Sequence, residues 1–368
     1  MTSNPLLHGV RVLDLSRLLP GPFCTLYLAQ LGAEVIKIEE PNGGDYARAM
    51  SAEMFSAVNR GKKSVTLDLR QPVDVALFKK LVADADVVIE SFRPGVMDRL
   101  GCGYEVLKAI NPRLVFAALT GYGQTGPYRN RPGHDMNYRA YAGELEQTGN
   151  AASGPVVGNL QVADIAGGAL SCAVGILAAL IGARASGVGS FVDVGMMDAT
   201  LAMQVLSLSA IRTFGKAPPR GGDFLSGALP NYAVYECGDG KHLAVGSLEP
   251  KFFAEVLKLA GRADLAKLPA APGKVGEPLR QELIALFKTR TRDEWEALLA
   301  HEETCVSAIL TPSEALQNEQ VVARNMVVDD NGKPAFNLPI FFDNAQAVNG
   351  KSPKLGADNE AVLGPLRG

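Results

Sequence analysis

Disulfide and zinc chemistry are the first things this sequence has too little for. Its five cysteines, Cys24, Cys102, Cys172, Cys237 and Cys305, lie far apart and form no C-x-x-C pair. That argues against a secreted disulfide framework or a zinc site and for a reducing, cytoplasmic compartment. Met1 to Val10 lacks a basic start followed by an apolar core, so it does not read as a signal peptide, and Pro365-Leu366-Arg367-Gly368 carries no familiar address. Charge of one sign is scarce too. A net charge of -3 gives no bulk reason to expect nucleic acid or an anionic membrane as partner. Disorder is excluded by 47% hydrophobic and 20% charged residues. One long apolar run exists, Ile165 to Ala183. It is rich in Gly and Ala, follows Asp164 directly and has no second apolar span beside it. It therefore reads as the buried helix of a large core rather than a membrane span.

The chain of 368 residues is long for a single core and suggests two domains. Val10–Leu15, Glu34–Ile38, Ser64–Leu67, Asp86–Ile89, Leu114–Leu119 and Val192–Val194 read as short apolar strands. Helical patterns lie between the early ones, at Phe23–Leu31 after the turn Pro20-Gly21-Pro22 and at Val73–Ala83. This alternation predicts an α/β fold whose large domain is an open, Rossmann-like parallel sheet. A linker-like stretch, Ala217 to Gly222, precedes a hairpin of Tyr232–Tyr235 and His242–Val245 around Gly238-Asp239-Gly240. Helices at Pro250–Leu259, Leu279–Lys288 and Arg292–Ala300 complete a smaller α+β domain. The expected boundaries are 1–216 for the large domain, 217–323 for the small one, and 324–368 for a segment returning to the first.

Gly121-Tyr122-Gly123-Gln124-Thr125-Gly126 matches G-x-G-x-x-G after a strand. That pattern binds a dinucleotide only where a helix begins and offers its N–H groups. Here Pro127, Pro132 and Gly133 follow, so the segment reads as a loop that lets a ligand approach backbone. Of four histidines, His8, His242 and His301 fall on a terminus, a hairpin and a polar helix end; His134 follows the glycine loop. Asp164 opens the long apolar helix, where it serves as a cap or as a group beside free N–H donors for an enolate oxygen. Glu249 precedes Pro250 at another helix start. Lys37, Arg48, Arg60, Lys62, Lys63, Arg70, Arg93 and Arg99 crowd the first hundred residues. Singly they read as surface charges; together they suit nucleotide phosphates.

The opening VRVLDLSRLLPGPFCTLYLAQLGAEVIKIEEPNGGD resembles family-III CoA-transferases of the CaiB/BaiF type. So do NRGKKSVTLDL from Asn59, ESFRPGVMDRLG from Glu90, LTGYGQTGPY from Leu119 and VGILAAL from Val174. Three further motifs are similar to the α-methylacyl-CoA racemase branch. They are Gly133-His134-Asp135-Met136-Asn137-Tyr138, Ala163-Asp164-Ile165-Ala166-Gly167-Gly168, and YECGDGKHLAVGSLEPKFF from Tyr235. One departure is Glu40, where many racemase relatives carry arginine; an acidic group there suits adenine or ribose rather than phosphate.

The resemblance implies an isomerase of lipid metabolism that inverts the α-carbon of 2-methylacyl-CoA thioesters. It implies His134 and Asp164 as bases on opposite faces and Glu249 as the acceptor that fixes the His134 tautomer. It also implies an interlocked homodimer, with CoA lying along the large domain as part of the substrate and no separate cofactor or metal. On the same ground CoA is expected to touch Glu40, Arg60, Lys62, Lys63, Arg93, Arg99, Gly133, Asp135, Asn137 and Tyr138. The first-turn N–H of Asp164 is expected to hold the enolate oxygen. The alternative is a CoA-transferase in which Asp164 is the nucleophile and forms an aspartyl intermediate.

Overall fold

The computed structural model describes residues 5–150, 152–343 and 345–367. The first four residues of the stretch from Met1 to Val10, and Gly368, lie outside the described residues.

Six short strands carry the first compact unit: β1 (Arg11–Asp14), β2 (Glu34–Glu39), β3 (Lys63–Thr66), β4 (Val87–Glu90), β5 (Val115–Thr120) and β6 (Phe191–Gly195). All pair in parallel, in the order β3-β2-β1-β4-β5-β6. Successive side chains point to opposite faces of a strand. The apolar runs therefore feed two cores at once. Val12, Val87, Ile89, Val115, Ala117 and Leu119 enter one, and Leu13, Val88, Phe116 and Ala118 enter the other. Helix α1 (Pro20–Gln30) covers the first face with Cys24 and Leu28. Helix α2 (Pro72–Ala83) covers the second with Leu77, Phe78, Leu81 and Val82.

Helix α1 begins at Pro20, three residues before the expected start. Its prolines occupy the first turn, where a missing N–H costs no intrahelical bond. Two further elements of this unit matter below: α3 (Asp135–Ala142) and α4 (Leu170–Ser186). The apolar helix is longer than expected, because π-helical turns over Val162–Ala169 run directly into α4. By length and composition it is apolar enough to cross a membrane. One side of it nevertheless packs on the sheet, with Cys172, Ile176 and Leu180 fully or nearly buried in the first core.

The unit also includes Gly158–Gln204 and the chain from Gln320 onward, so its boundary falls at Gln204 rather than Lys216. The returning segment covers the edge of the sheet. Ser64 and Thr66 of β3 donate their N–H groups to Asp358 and Asn359, each at 2.8 Å, which removes an exposed strand edge.

The second unit comprises Leu145–Val157 and Val205–Glu319. The early excursion at 145–157 has no counterpart in the sequence reading. Its center is an antiparallel sheet of β7 (Tyr232–Glu236), β8 (His242–Gly246) and β9 (Val306–Ala308), in the order β9-β8-β7. Helices Pro250–Leu259, Glu277–Phe287 and Arg292–Leu299 supply its core with Val256, Leu283 and Trp295.

Candidate active site

Parallel strands deliver all their following loops to the same edge of a sheet. A ligand crevice is expected where the order reverses, here between β1 and β4. Two hollows lie along that edge. The larger, about 800 Å³, is lined by Arg17 after β1, Ser91 to Pro94 after β4, Thr120 to Tyr122 after β5 and Met196 after β6. Across it stand His134, Asn137, Tyr138 and Asp164. The smaller, about 680 Å³, is lined by Glu39 and Glu40 after β2 and by Leu67 to Arg70 after β3. The two share Arg17, Tyr46, Phe92 and Val96.

The glycine loop does not start a helix. Its Gly121 and the later Gly133 instead make room for one ring: a Cβ on either would lie 2.3 or 2.7 Å from Tyr138 Cε1. Tyr138 uses that space to donate its hydroxyl to the Gly133 carbonyl at 2.5 Å. The next residue, His134, caps α3. Its N–H donates to Asn137 Oδ1 at 3.0 Å, and its carbonyl accepts from Asn137 N at 2.8 Å. The backbone under the imidazole is therefore held from both sides, while the side chain is exposed to the hollow.

Asp164 sits on the π-helical turns, a winding often found at functional sites. Burial pushes its carboxyl up to about 7, and the charge of Asp135 adds to the shift. Burial also raises the Tyr138 phenol, with the charge of Asp164, on the wall of the same hollow, as the next cause.

The expected enolate donor is already engaged. The N–H groups of Ala163 and Asp164 both donate to Asp135 Oδ1, at 2.7 and 3.1 Å. Asp135 is itself buried; it is a carboxylate tied into backbone and not a wall of either hollow.

The expected CoA contacts divide the same way. Glu40 lines the smaller hollow, and Arg93, Gly133, Asn137 and Tyr138 line the larger. Arg60, Lys62, Lys63 and Arg99 line neither. Arg60 donates to Asn349 Oδ1 at 3.2 Å and to the Phe336 carbonyl. Lys63 pairs with Glu34 at 2.5 Å. Lys62 is buried, with its ammonium on Asp14 at 3.2 Å, Thr25 Oγ1 at 2.7 Å, Asn59 Oδ1 at 2.8 Å and the Pro22 carbonyl at 2.9 Å. Arg60, Lys62 and Lys63 are thus engaged by protein partners and line neither hollow. Glu249 precedes helix Pro250–Leu259 in the second unit, and the lining of the larger hollow comes wholly from the first.

Sequence reading missed Arg17, Tyr46, Phe92, Arg129 and Arg131. Arg17 joins the hollows, with its guanidinium 5.1 Å from the Tyr46 ring centroid and 5.0 Å from that of Phe92. The next residue, Leu18, has a φ of 64°, in the left-handed region that non-glycine residues disfavor. Asp45 accepts from Leu18 N at 2.9 Å, and Lys37 donates to the Ser16 carbonyl at 2.8 Å. The available signal was position: Arg17 follows a parallel strand at its carboxyl end.

Glu90 was also missed. It ends β4 beneath Phe92, whose N–H it accepts at 2.6 Å, and burial pushes its carboxyl up to about 8. An acid raised from an ordinary 4.5 stabilises the fold below about pH 4.5, and that contribution is lost as pH rises toward 8. Glu90→Gln is therefore expected to gain stability over the parent progressively between those pH values, by up to a few kcal/mol. Denaturation midpoints at pH 5 and pH 8 check this; an equal change at both would remove the titration account.

Residues 7–359 match CoA-transferase family III. The chain is 33% identical over 365 residues to the α-methylacyl-CoA racemase of Homo sapiens, covering 97% of this chain and 92% of that protein. It is 34% identical to the succinate–glutarate CoA-transferase of Agrobacterium fabrum, covering 99% and 96%. A solved CaiB/BaiF family protein from Brucella suis superposes with a TM-score of 0.87 at 33% identity, covering 98% of this chain and 99% of that one.

Proposed function

Because the chain belongs to CoA-transferase family III, we propose that it inverts the α-carbon of 2-methylacyl-CoA thioesters by proton transfer between His134 and Asp164 through an enolate. The observation that carries this reading is that an imidazole and a carboxyl raised to about 7 line one hollow. Inversion needs a base on one face of the carbon and an acid on the other, and both directions run well only when the two affinities for a proton approach one another. A carboxyl near 7 exchanges protons in the range of an imidazole. A nucleophilic aspartate would instead gain from staying ionised.

In this reading the thioester enters the larger hollow beside Met196, and the nucleotide lies in the smaller one near Glu40 and Arg70, with Arg17 between them. The proton transfers call on no cofactor or metal, since CoA is part of the substrate. We keep an interlocked homodimer in the proposal, with Glu249 of the partner subunit orienting His134. Val174 and Ile181 of α4 are 67% and 71% exposed, which supports an apolar partner such as a second copy. Five free cysteines support a reducing, cytoplasmic setting.

The test is incubation of a small panel of 2-methylacyl-CoA esters with the enzyme in heavy water. Deuterium should appear at the α-carbon as each pure epimer becomes a mixture. The transferase reading draws on relatives such as the Agrobacterium fabrum protein. It expects hydroxylamine, added after the acyl-CoA, to mark Asp164 covalently, and to do so without α-deuteration. Marked Asp164 with no deuterium uptake would end the racemase reading.

A further inference from the structure

We propose that Asp135 is a positioning residue that joins the two reacting groups of the proposed racemase into one rigid unit. It follows His134 directly in the chain, and its carboxylate holds the backbone that carries Asp164. The inference rests on the racemase reading only for its catalytic consequence.

The connection is short. His134 caps α3 and Asp135 is the first residue of that helix. Oδ1 of Asp135 accepts from Ala163 N at 2.7 Å and from Asp164 N at 3.1 Å. Its other oxygen faces Arg139 Nη1 at 3.5 Å, and Arg139 Nε donates to Glu144 at 2.6 Å. Asp135 and Arg139 are both buried, at 9% and 2% exposure. A buried charge is tolerated only where it is paired and hydrogen-bonded. The line Glu144–Arg139–Asp135 meets that condition and ends on the two amides at the start of the π-helical turns. The chain step from 134 to 135 thus becomes a through-space link between the imidazole and the carboxyl.

The residue type matters as well as the reach. An asparagine would still present one oxygen to the amides, but its NH2 would face the Arg139 guanidinium, donor against donor. The charge has a second effect, since a carboxylate beside Asp164 disfavors its ionisation. The groups facing Asp164 are Asp135 and Tyr138 from α3, with His134 and Arg93 on the walls of the same hollow. Of these, Asp135 is the anion, and Arg93 and a protonated His134 act in the opposite sense.

The experiment is a titration of Asp164 in the full-length protein without substrate. It uses 13C-carboxyl-labelled aspartate and NMR, with the Asp164→Asn spectrum assigning the resonance. In Asp135→Asn the Asp164 midpoint is expected to fall by about one pH unit. With substrate, kcat should drop about tenfold, with KM changed much less, and the acidic limb of the pH profile should move with the midpoint. An unmoved midpoint overturns the proposal. If Asp135→Asn does not fold, hydrogen exchange in the parent protein decides. Protection of the Ala163 and Asp164 amides supports the bridge, and free exchange there overturns it. A moved midpoint in an enzyme that never exchanges α-protons supports the bridge while showing that the racemase reading alone has failed.

Discussion

Replacing His134 by alanine is expected to lower epimer inversion by 10²–10⁴-fold, the span that positioned acid–base groups commonly contribute. Asp164→Asn should lose as much. The two groups act symmetrically. With one base gone, the enolate can still form from the epimer whose proton faces the remaining group, but no proton arrives from the other side. Each variant should therefore block inversion of both epimers while sparing part of the α-exchange of only one, and the spared epimer should differ between them. Mass and chiral analysis from each pure epimer reads this directly. Near-parental inversion in either variant removes that residue from the mechanism.

Misfolding is a poor explanation for such a loss, because an ionised Asp164 is expected to cost stability. Its carboxyl is raised from an ordinary 3.8 to about 7. Its stabilising contribution is complete below about pH 3.8 and is lost as pH rises to 7. Asparagine does not titrate. Asp164→Asn should thus gain over the parent between those values and stay more stable above them, by up to a few kcal/mol. A dead variant that is also more stable at pH 8 locates the loss in chemistry.

The second large effect is expected at Lys62. Its ammonium is wholly buried on Asp14 and three further oxygens. Burial alone would raise the Asp14 carboxyl, but Lys37 and Lys62, with the hydroxyls of Ser16 and Thr25, hold it well below the ordinary carboxylate range. Lys62→Met keeps the length and removes the charge. Stranding one partner of a buried pair typically costs about 3–5 kcal/mol. The denaturant midpoint should fall accordingly, with KM for acyl-CoA little changed in the folded fraction. An unchanged midpoint with a raised KM would return Lys62 to the phosphates.

The contrast between Lys62 and Arg17 shows where sequence reading succeeds and stops. Strand positions were legible because a parallel sheet buries both faces, leaving runs such as Val115–Leu119 apolar throughout. His134 and Asp164 were legible because each sits in a short motif that resembles a known family. A basic residue has no such mark: Lys62 looks like a phosphate ligand until the buried Asp14 beneath it is seen, and Arg17 looks ordinary until strand order puts it at the switch point.

Local alternation and turn chemistry, written residue by residue, determined the α/β class and the six strands, and the resemblance of two short motifs to a known family singled out the two residues proposed to react. Tertiary structure alone decided which cations line a hollow, that the Asp164 amide is held by Asp135, and that residues 145–157 join the second unit. Those outcomes depend on partners distant in the chain, and burial and charge acquire their energies only when such partners meet.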